Sequence, residues 1–253
     1  MTSFAKWCST NESKVSTHTV TLLSAEPEKL DDAKKLIAAA VPDYYTNPSR
    51  VAALLTKLGK DEAAAFVKGK LPTGKSLRSG ELGEVLCNAY VLEISPFQRG
   101  IRRLRWRDHR EMSMRGEDVL AFRFDATGKL RILKAEVKSA KAMNSTIVNK
   151  ARDSLSAYSE LPSPHALSFV ADRLHETGED VELADAIDAA TLKDGIELSQ
   201  ITHLLFTFSG NNAGKILTDN LTKYGGSVKQ KYVGLRVETH QQFIREVYEL
   251  VAQ

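Results

Sequence analysis

Apolar side chains recur at three- and four-residue steps through residues 26–68, with proline or glycine breaks near residues 42, 48 and 59. This spacing predicts a series of short amphipathic helices. A short strand is predicted before them at VTLLS (20–24). Further helices are predicted by the same periodicity at 80–91, 146–159, 216–225 and 240–253.

Between these helices the pattern changes to short, strongly apolar runs that are typical of buried strands. The turn DATGK (125–129) separates two such runs and predicts an antiparallel hairpin. The runs are VLAFRF (119–124), LRILKAEVKSA (130–140), HLLFTFS (203–209) and YVGLRVE (232–238). Helices alternating with these strands predict an α/β protein with a mixed sheet flanked by helices. We expect a mostly helical N-terminal extension over 1–77 and the sheet-containing core over 78–253.

Composition narrows the class of protein without identifying it. At 42% hydrophobic and 26% charged residues, the chain matches a globular protein rather than a disordered or fibrous one. No apolar run approaches the length of a membrane span, and the first residues lack the apolar core of a secretion signal. Cys8 and Cys87 are isolated, which excludes a zinc ribbon or a disulfide framework. We expect a cytoplasmic protein with no membrane contact.

Charge is unevenly distributed along the chain. Residues 99–115 contain seven arginines and two acids, whereas residues 175–198 contain eight acids and one lysine. The first segment predicts a surface that attracts polyanions. Candidate phosphate contacts there and after the second hairpin strand are Arg102, Arg103, Arg105, Arg107, Arg110, Lys141, Lys150 and Arg152.

The hairpin carries the strongest chemical pattern. Glu136 and Lys138 are two residues apart, so they project from one face of their strand. Asp118 begins the partner strand, and antiparallel pairing should place it beside Glu136. Adjacent carboxylates repel unless one is protonated or a cation lies between them, and oxygen ligands suit Mg²⁺ or Mn²⁺. The alternative is a surface ion pair between Glu136 and Lys138 without catalytic meaning.

These residues also carry a family resemblance. GEDVLAFRFDATGKLRILKAEVKS resembles the D…ExK core of the PD-(D/E)xK nuclease superfamily, and GELGEVL resembles its preceding helix, a match over residues 78–155. By that resemblance Asp118, Glu136 and Glu84 would bind the metal, and Lys138 would handle the attacking water. Glu81 lies one helical turn from Glu84 and remains an alternative. Glu117 stands where the superfamily usually has proline before the aspartate.

Over a longer stretch, GELGEVLCNAYV, DHREMSMRGEDV and KAEVKS are similar to the HamA family, the nuclease subunits of Hachiman antiphage systems. This resemblance implies a metal-dependent DNA nuclease of little sequence specificity, partnered and restrained by a helicase of the HamB type. We expect that restraint to act through the N-terminal helices. The alternative from another class is a non-catalytic nucleic-acid-binding or scaffold subunit with a nuclease-like fold.

One further motif points to a different activity. Residues 69–76, GKLPTGKS, satisfy the phosphate-binding pattern GxxxxGK(S/T). That loop requires a buried strand before it, whereas the preceding DEAAAFVK is alanine-rich and predicts a helix. We therefore interpret the segment as a cationic linker rather than an ATP site.

Overall fold

The structure is a computed structural model that describes residues 2–252 of the 253-residue chain. Its helices are α1 (Leu30–Ala40), α2 (Pro42–Tyr45), α3 (Pro48–Leu58), α4 (Lys60–Lys70), α5 (Lys75–Ile94), α6 (Ser145–Ser156), α7 (Pro164–Thr177), α8 (Val181–Ala189), α9 (Gly214–Thr222) and α10 (His240–Val251). Among the described residues, no helix is both long enough and apolar enough to span a membrane. The predicted C-terminal helix extended to Gln253, which lies outside the described residues.

Six strands form one mixed sheet in the order β1-β2-β6-β5-β4-β3. The strands are β1 (Cys8–Val15), β2 (His18–Ala25), β3 (Val119–Phe124), β4 (Leu130–Ala140), β5 (Ile201–Ser209) and β6 (Lys229–Arg236). The four central strands run parallel, and antiparallel hairpins add β1 at one edge and β3 at the other. The predicted α/β class and the predicted strands of the core are confirmed.

The N-terminal strands join the same sheet as the core. The predicted strand at 20–24 is part of β2, which pairs in parallel with β6 from Thr19 opposite Lys231. Its partner β1 has the polar sequence CSTNESKV, most of which is exposed, so its hydrophobic pattern gave no indication of a strand. The chain thus enters the core sheet before the predicted boundary at residue 77. In the predicted N-terminal extension, β1 and β2 belong to this sheet, and helices α1–α4 follow them.

Helices cover both faces of the sheet. Helices α1, α2, α5 and α10 pack on the face that carries Leu133, Ala135 and Val137 of β4. Helices α6 and α9 cover the central part of the opposite face, and α7 and α8 cover its β3 end. Lys134, Glu136 and Lys138 alternate with the first set of residues along β4, so they lie on the α6 side.

Two glycines set the geometry around β4. Gly128 has φ of 80°, the left-handed conformation that the β3–β4 turn requires, and Asp125 accepts hydrogen bonds from the backbone of Thr127 and Lys129 in that turn. Gly83 of α5 lies so close to β4 that an added Cβ would be 3.0 Å from Val137. This close approach brings the neighbouring Glu84 to the end of the hairpin.

The segment 69–76 is not a phosphate-binding loop. It follows α4 and not a strand, as the sequence predicted. The backbone amides of Thr73 and Gly74 donate to the carboxylate of Glu111 at 2.9 and 3.2 Å. Amides that would hold a phosphate are therefore used to fix the arginine-rich segment.

Candidate active site

The β3–β4 hairpin brings Asp118 beside Glu136. Val119 pairs with Ala135, so Asp118 lies opposite Glu136 at the point where β3 begins. The Asp118 Oδ2 atom accepts a hydrogen bond from the backbone amide of Val137 at 2.7 Å, which fixes the carboxylate against β4. The proximity predicted from the antiparallel pairing is confirmed.

Glu136 and Lys138 form an ion pair on the α6 side of β4. Burial raises the pKa of Glu136, and the nearby Asp118 carboxylate raises it further, while Lys138 lowers it. The pair alone would fit the surface interpretation. Its neighbourhood does not, because Asp118 is mostly buried and its pKa is also raised by burial.

Glu84 reaches the same place from α5 through a shared arginine. The Arg103 Nη2 atom lies 3.0 Å from Glu84 Oε2 and 3.2 Å from Asp118 Oδ1, and the Arg103 side chain is only 12% exposed. Burial raises the pKa of Glu84 to about 7, against the lowering effect of Arg103, and the Asp118 charge raises it further. Three carboxylates with raised pKa thus surround one guanidinium and one ammonium group.

Glu81, the alternative to Glu84, faces another part of the molecule. It is buried, accepts a hydrogen bond from the Tyr45 hydroxyl at 2.7 Å and forms an ion pair with Arg107. The Arg107 guanidinium also donates to the carbonyl of Lys70 and lies over the Tyr45 ring. Glu81 therefore ties α5 to the N-terminal helices, and Glu84 is the α5 acid beside Asp118.

Three of the eight predicted phosphate contacts are engaged inside the protein. Arg103 binds Glu84 and Asp118, and Arg107 binds Glu81. Arg152 donates to His203 Nδ1 at 3.0 Å and lies 3.7 Å from Glu160. Sequence reasoning placed all three in the anion-binding surface because charge density along the chain does not reveal which side chains turn inward.

The other five predicted contacts lie nearer the surface. Arg102 is half-buried over the Tyr44 ring, and the half-buried Arg105 donates to the Asp43 carbonyl. Arg110, Lys141 and Lys150 are exposed. The exposed positions come from the arginine-rich segment, the end of β4 and α6, so they are not confined to one element.

Oxygen ligands for a metal ion are present, but an arginine side chain lies between two of them. Glu84, Asp118 and Glu136 offer the hard oxygen ligands that Mg²⁺ and Mn²⁺ prefer. In residues 2–252, however, no three acidic, histidine or cysteine side chains are arranged to hold a metal ion. Arg103 instead supplies the positive charge between Glu84 and Asp118. Glu84 and Asp118 thus already share a cationic partner.

The fold and the site define an α/β protein with carboxylates and a lysine at one edge of a six-stranded mixed sheet. The chain belongs to the HamA family, whose model matches residues 2–251. The Hachiman protein HamA of Bacillus cereus is 26% identical over 233 residues, covering 90% of this chain and 82% of that protein. The resemblance to HamA inferred from the motifs is thereby confirmed.

Proposed function

We propose that this protein is a metal-dependent DNA nuclease of little sequence specificity that acts in Hachiman antiphage defence with a helicase partner. The observation that carries the proposal is the placement of Asp118, Glu136 and Lys138 together at the start of β3 in a HamA-family chain. A surface ion pair between Glu136 and Lys138 does not account for Asp118 and Glu84 beside it, because further carboxylates at that place add like-charge repulsion.

In the proposed reaction the chain's own groups position water and stabilise charge. Lys138 holds the attacking water and offsets the negative charge that develops on the phosphate. The Val137 amide and Arg103 each contact one oxygen of Asp118, so the carboxylate has a constant direction. Phosphodiester hydrolysis breaks the bond between phosphorus and the leaving oxygen. The attacking water adds to phosphorus and loses a proton to solvent, and the leaving oxygen takes up a proton from solvent.

The proposed cofactor is Mg²⁺, with Mn²⁺ as a substitute, held by Asp118 and Glu136 with help from Glu84. The cation would lower the pKa of a bound water and polarise the phosphate oxygens. Arg103 contacts both Glu84 and Asp118, so a cation held by these carboxylates would compete with the Arg103 contacts. Movement of the segment that carries Arg103 therefore offers a route to control of the site.

The proposal is tested by incubating the protein with plasmid DNA in Mg²⁺ or EDTA, alone and with the helicase of the same system. We expect cleavage in Mg²⁺ with the helicase present, little cleavage by the protein alone and none in EDTA. DNA binding without cleavage under every condition would instead support a non-catalytic nucleic-acid-binding subunit.

We expect the exposed cations to supply salt-dependent DNA affinity. Replacing Arg110, Lys141 or Lys150 with alanine should reduce the slope of log Kd against log salt concentration by about 0.9 per lost phosphate contact, without changing sequence preference. Fluorescence anisotropy in EDTA measures the slope without cleavage. Lys57→Ala, an exposed lysine on α3, is the matched control. An unchanged slope in all three variants would remove them from the DNA interface.

We propose that the helicase docks on the α3–α4 hairpin. α3 buries none of its residues and α4 buries only Ala63, while Leu55 and Leu58 are 50% and 59% exposed. Exposed leucines beside each other on a protruding helix are typical of a partner surface. Deleting residues 1–68 would also remove β1 and β2 from the sheet, so point substitutions test this interface more cleanly.

The double variant Leu55→Asp/Leu58→Asp is expected to weaken association with the purified helicase by at least about tenfold, because each charge would be buried against the partner. Association is measured by size-exclusion chromatography and by titration, with circular dichroism to verify folding. Leu192→Asp replaces another exposed leucine, far along the chain after α8, and should leave association unchanged. Wild-type affinity in the double variant would place the helicase elsewhere.

A further inference from the structure

A cavity of about 420 Å³ opens beside the carboxylates. Glu84 and Asn88 of α5 form part of its lining, and Asp118 at the start of β3 forms another part. Residues from the arginine-rich segment and from α7 complete it. A volume of several hundred cubic ångströms is in the range of pockets that hold small organic ligands. Of the candidate catalytic residues, Glu84 and Asp118 thus belong to the wall of a larger pocket.

Two aromatic rings line this cavity. Trp106 and Phe169 contact each other edge to face, with centroids 6.4 Å apart and planes at 89°. Both side chains are only half-buried, so part of each ring faces the cavity. Because the two rings are perpendicular, the face of one ring is available for stacking, and the edge of the other ring packs against it. A flat aromatic ligand fits this arrangement better than a branched aliphatic one does.

A polar atom in the same lining lacks a partner. The Asn88 Oδ1 atom is buried and has no hydrogen-bond donor among residues 2–252. Asn88 lies one helical turn beyond Glu84, so both side chains project from the same side of α5. A buried acceptor without a donor is unfavourable, and rotation of the Asn88 amide toward the cavity would let it accept a hydrogen bond from a ligand. Adenine carries an exocyclic N–H donor beside a ring-nitrogen acceptor, and asparagine recognises this pair by accepting with Oδ1 and donating with its NH2 group.

Cationic groups also line the cavity. Arg102 and Arg115 belong to the lining, and the side chain of Arg115 is exposed. These arginines favour a ligand that carries a phosphate group next to its aromatic ring. Apolar rings, an unpaired amide oxygen and arginines together match a nucleotide more closely than an apolar peptide segment, which would leave Asn88 without a donor.

We propose that this cavity is a nucleobase pocket, in which Trp106 stacks on the base and Asn88 binds its polar edge. The base comes from the nucleotide next to the phosphodiester held at Asp118 and Glu136, and this part of the inference rests on the proposed nuclease function. The enzyme accordingly requires an unpaired base, supplied by a single strand or by extrusion from a duplex, and a helicase partner would generate such strands.

Tryptophan fluorescence locates the base. The chain has two tryptophans, and Trp7 is 1% exposed and packs against Phe4 and Phe243, away from the cavity. In EDTA, dAMP or a single-stranded oligodeoxyadenylate should quench the emission of the wild-type protein, whereas deoxyribose 5-phosphate, which lacks the base, should not. Trp106→Phe, which retains only Trp7, should show no quenching. If dAMP quenches the emission, a free nucleotide is sufficient to occupy the cavity. If only the oligonucleotide quenches it, the base must be part of a DNA strand.

Calorimetric titration supplies the affinities. Trp106→Ala should weaken binding of the quenching ligand by about fivefold or more, since base stacking on an aromatic ring contributes that much. Asn88→Leu, which keeps the branched shape and the number of side-chain heavy atoms, should also weaken it, and Trp106→Phe should bind nearly as well as wild type. Equal quenching by deoxyribose 5-phosphate, no quenching by either base-containing ligand, or persistent quenching in Trp106→Phe would overturn the pocket. Cleavage of plasmid DNA is measured separately, so an active enzyme without quenching would remove the pocket alone.

Discussion

Glu136→Gln and Lys138→Ala are each expected to reduce DNA cleavage by at least about a hundredfold while leaving DNA binding largely intact. Loss of one group that stabilises charge in the transition state costs on the order of a hundred- to a thousandfold in rate. Asp118 and Glu84 remain in both variants, so the substrate-binding surface is unchanged. Plasmid cleavage in Mg²⁺ with the helicase present measures the rate, and anisotropy in EDTA measures binding.

Lys215→Ala is the matched control for the lysine variant. Lys215 is largely exposed and, within residues 2–252, its one ion pair is with Asp219 on α9, so its removal should leave cleavage unchanged. Removing the Glu136 charge also relieves its repulsion with Asp118. The melting temperature of Glu136→Gln in EDTA should therefore be equal to or above that of the wild type. Undiminished cleavage in either site variant would show that these residues do not form the active site.

Lys134→Met is expected to lower the free energy of unfolding by about 2–4 kcal/mol, because buried carbonyls without donors each cost about 1–3 kcal/mol. Lys134 is 2% exposed, and its ammonium group donates to the carbonyls of Leu155, Ala157 and Leu161 at 3.1, 3.1 and 2.8 Å. These carbonyls flank a turn in which the successive residues 158–160 have φ of 56°, 55° and 69°. Such left-handed backbone without glycine persists only when its surroundings hold it.

Urea unfolding followed by circular dichroism measures this loss. Lys129→Met replaces an exposed lysine that pairs with Glu197 and should change stability by no more than about 0.5 kcal/mol. A Lys134→Met variant as stable as this control would mean that the turn is held by its other contacts, namely the His203 and Tyr224 hydrogen bonds to Glu160. Because Lys134 lies on the same strand face as Glu136, cleavage should also be measured in this variant.

The local sequence pattern was sufficient to predict most of the helices and strands and the charged residues of the β3–β4 hairpin. β3 and β4 were predicted with their observed bounds because a strongly apolar run, a DATGK turn and a second run are each defined by neighbouring residues. The two-residue period of a strand then placed Glu136 and Lys138 on one face, and antiparallel pairing placed Asp118 beside them. β1 was missed because it is polar, and its strand conformation depends on pairing with β2.

The roles of the arginines required the tertiary structure. Arg103 and Arg107 lie in one dense cationic segment of the sequence, yet each pairs with a carboxylate on α5, 19 and 26 residues earlier in the chain. The sequence pattern does single out Lys134, because charged residues occur at the alternate positions 134, 136 and 138 of a buried strand. Its three carbonyl partners come from the end of α6 and the turn after it, and no local pattern indicates them.

The sequence by itself therefore determined the α/β class, the hairpin with its Asp118, Glu136 and Lys138, and the resemblance to HamA. These features depend on interactions between residues near each other in the chain or on strand pairing through a short turn. Only the tertiary structure placed Glu84 rather than Glu81 near Asp118, inserted Arg103 among the carboxylates and formed the cavity of Trp106, Phe169 and Asn88. Those features depend on how α5, the arginine-rich segment and α7 pack together, and side-chain direction at such contacts is fixed by packing across distant parts of the chain.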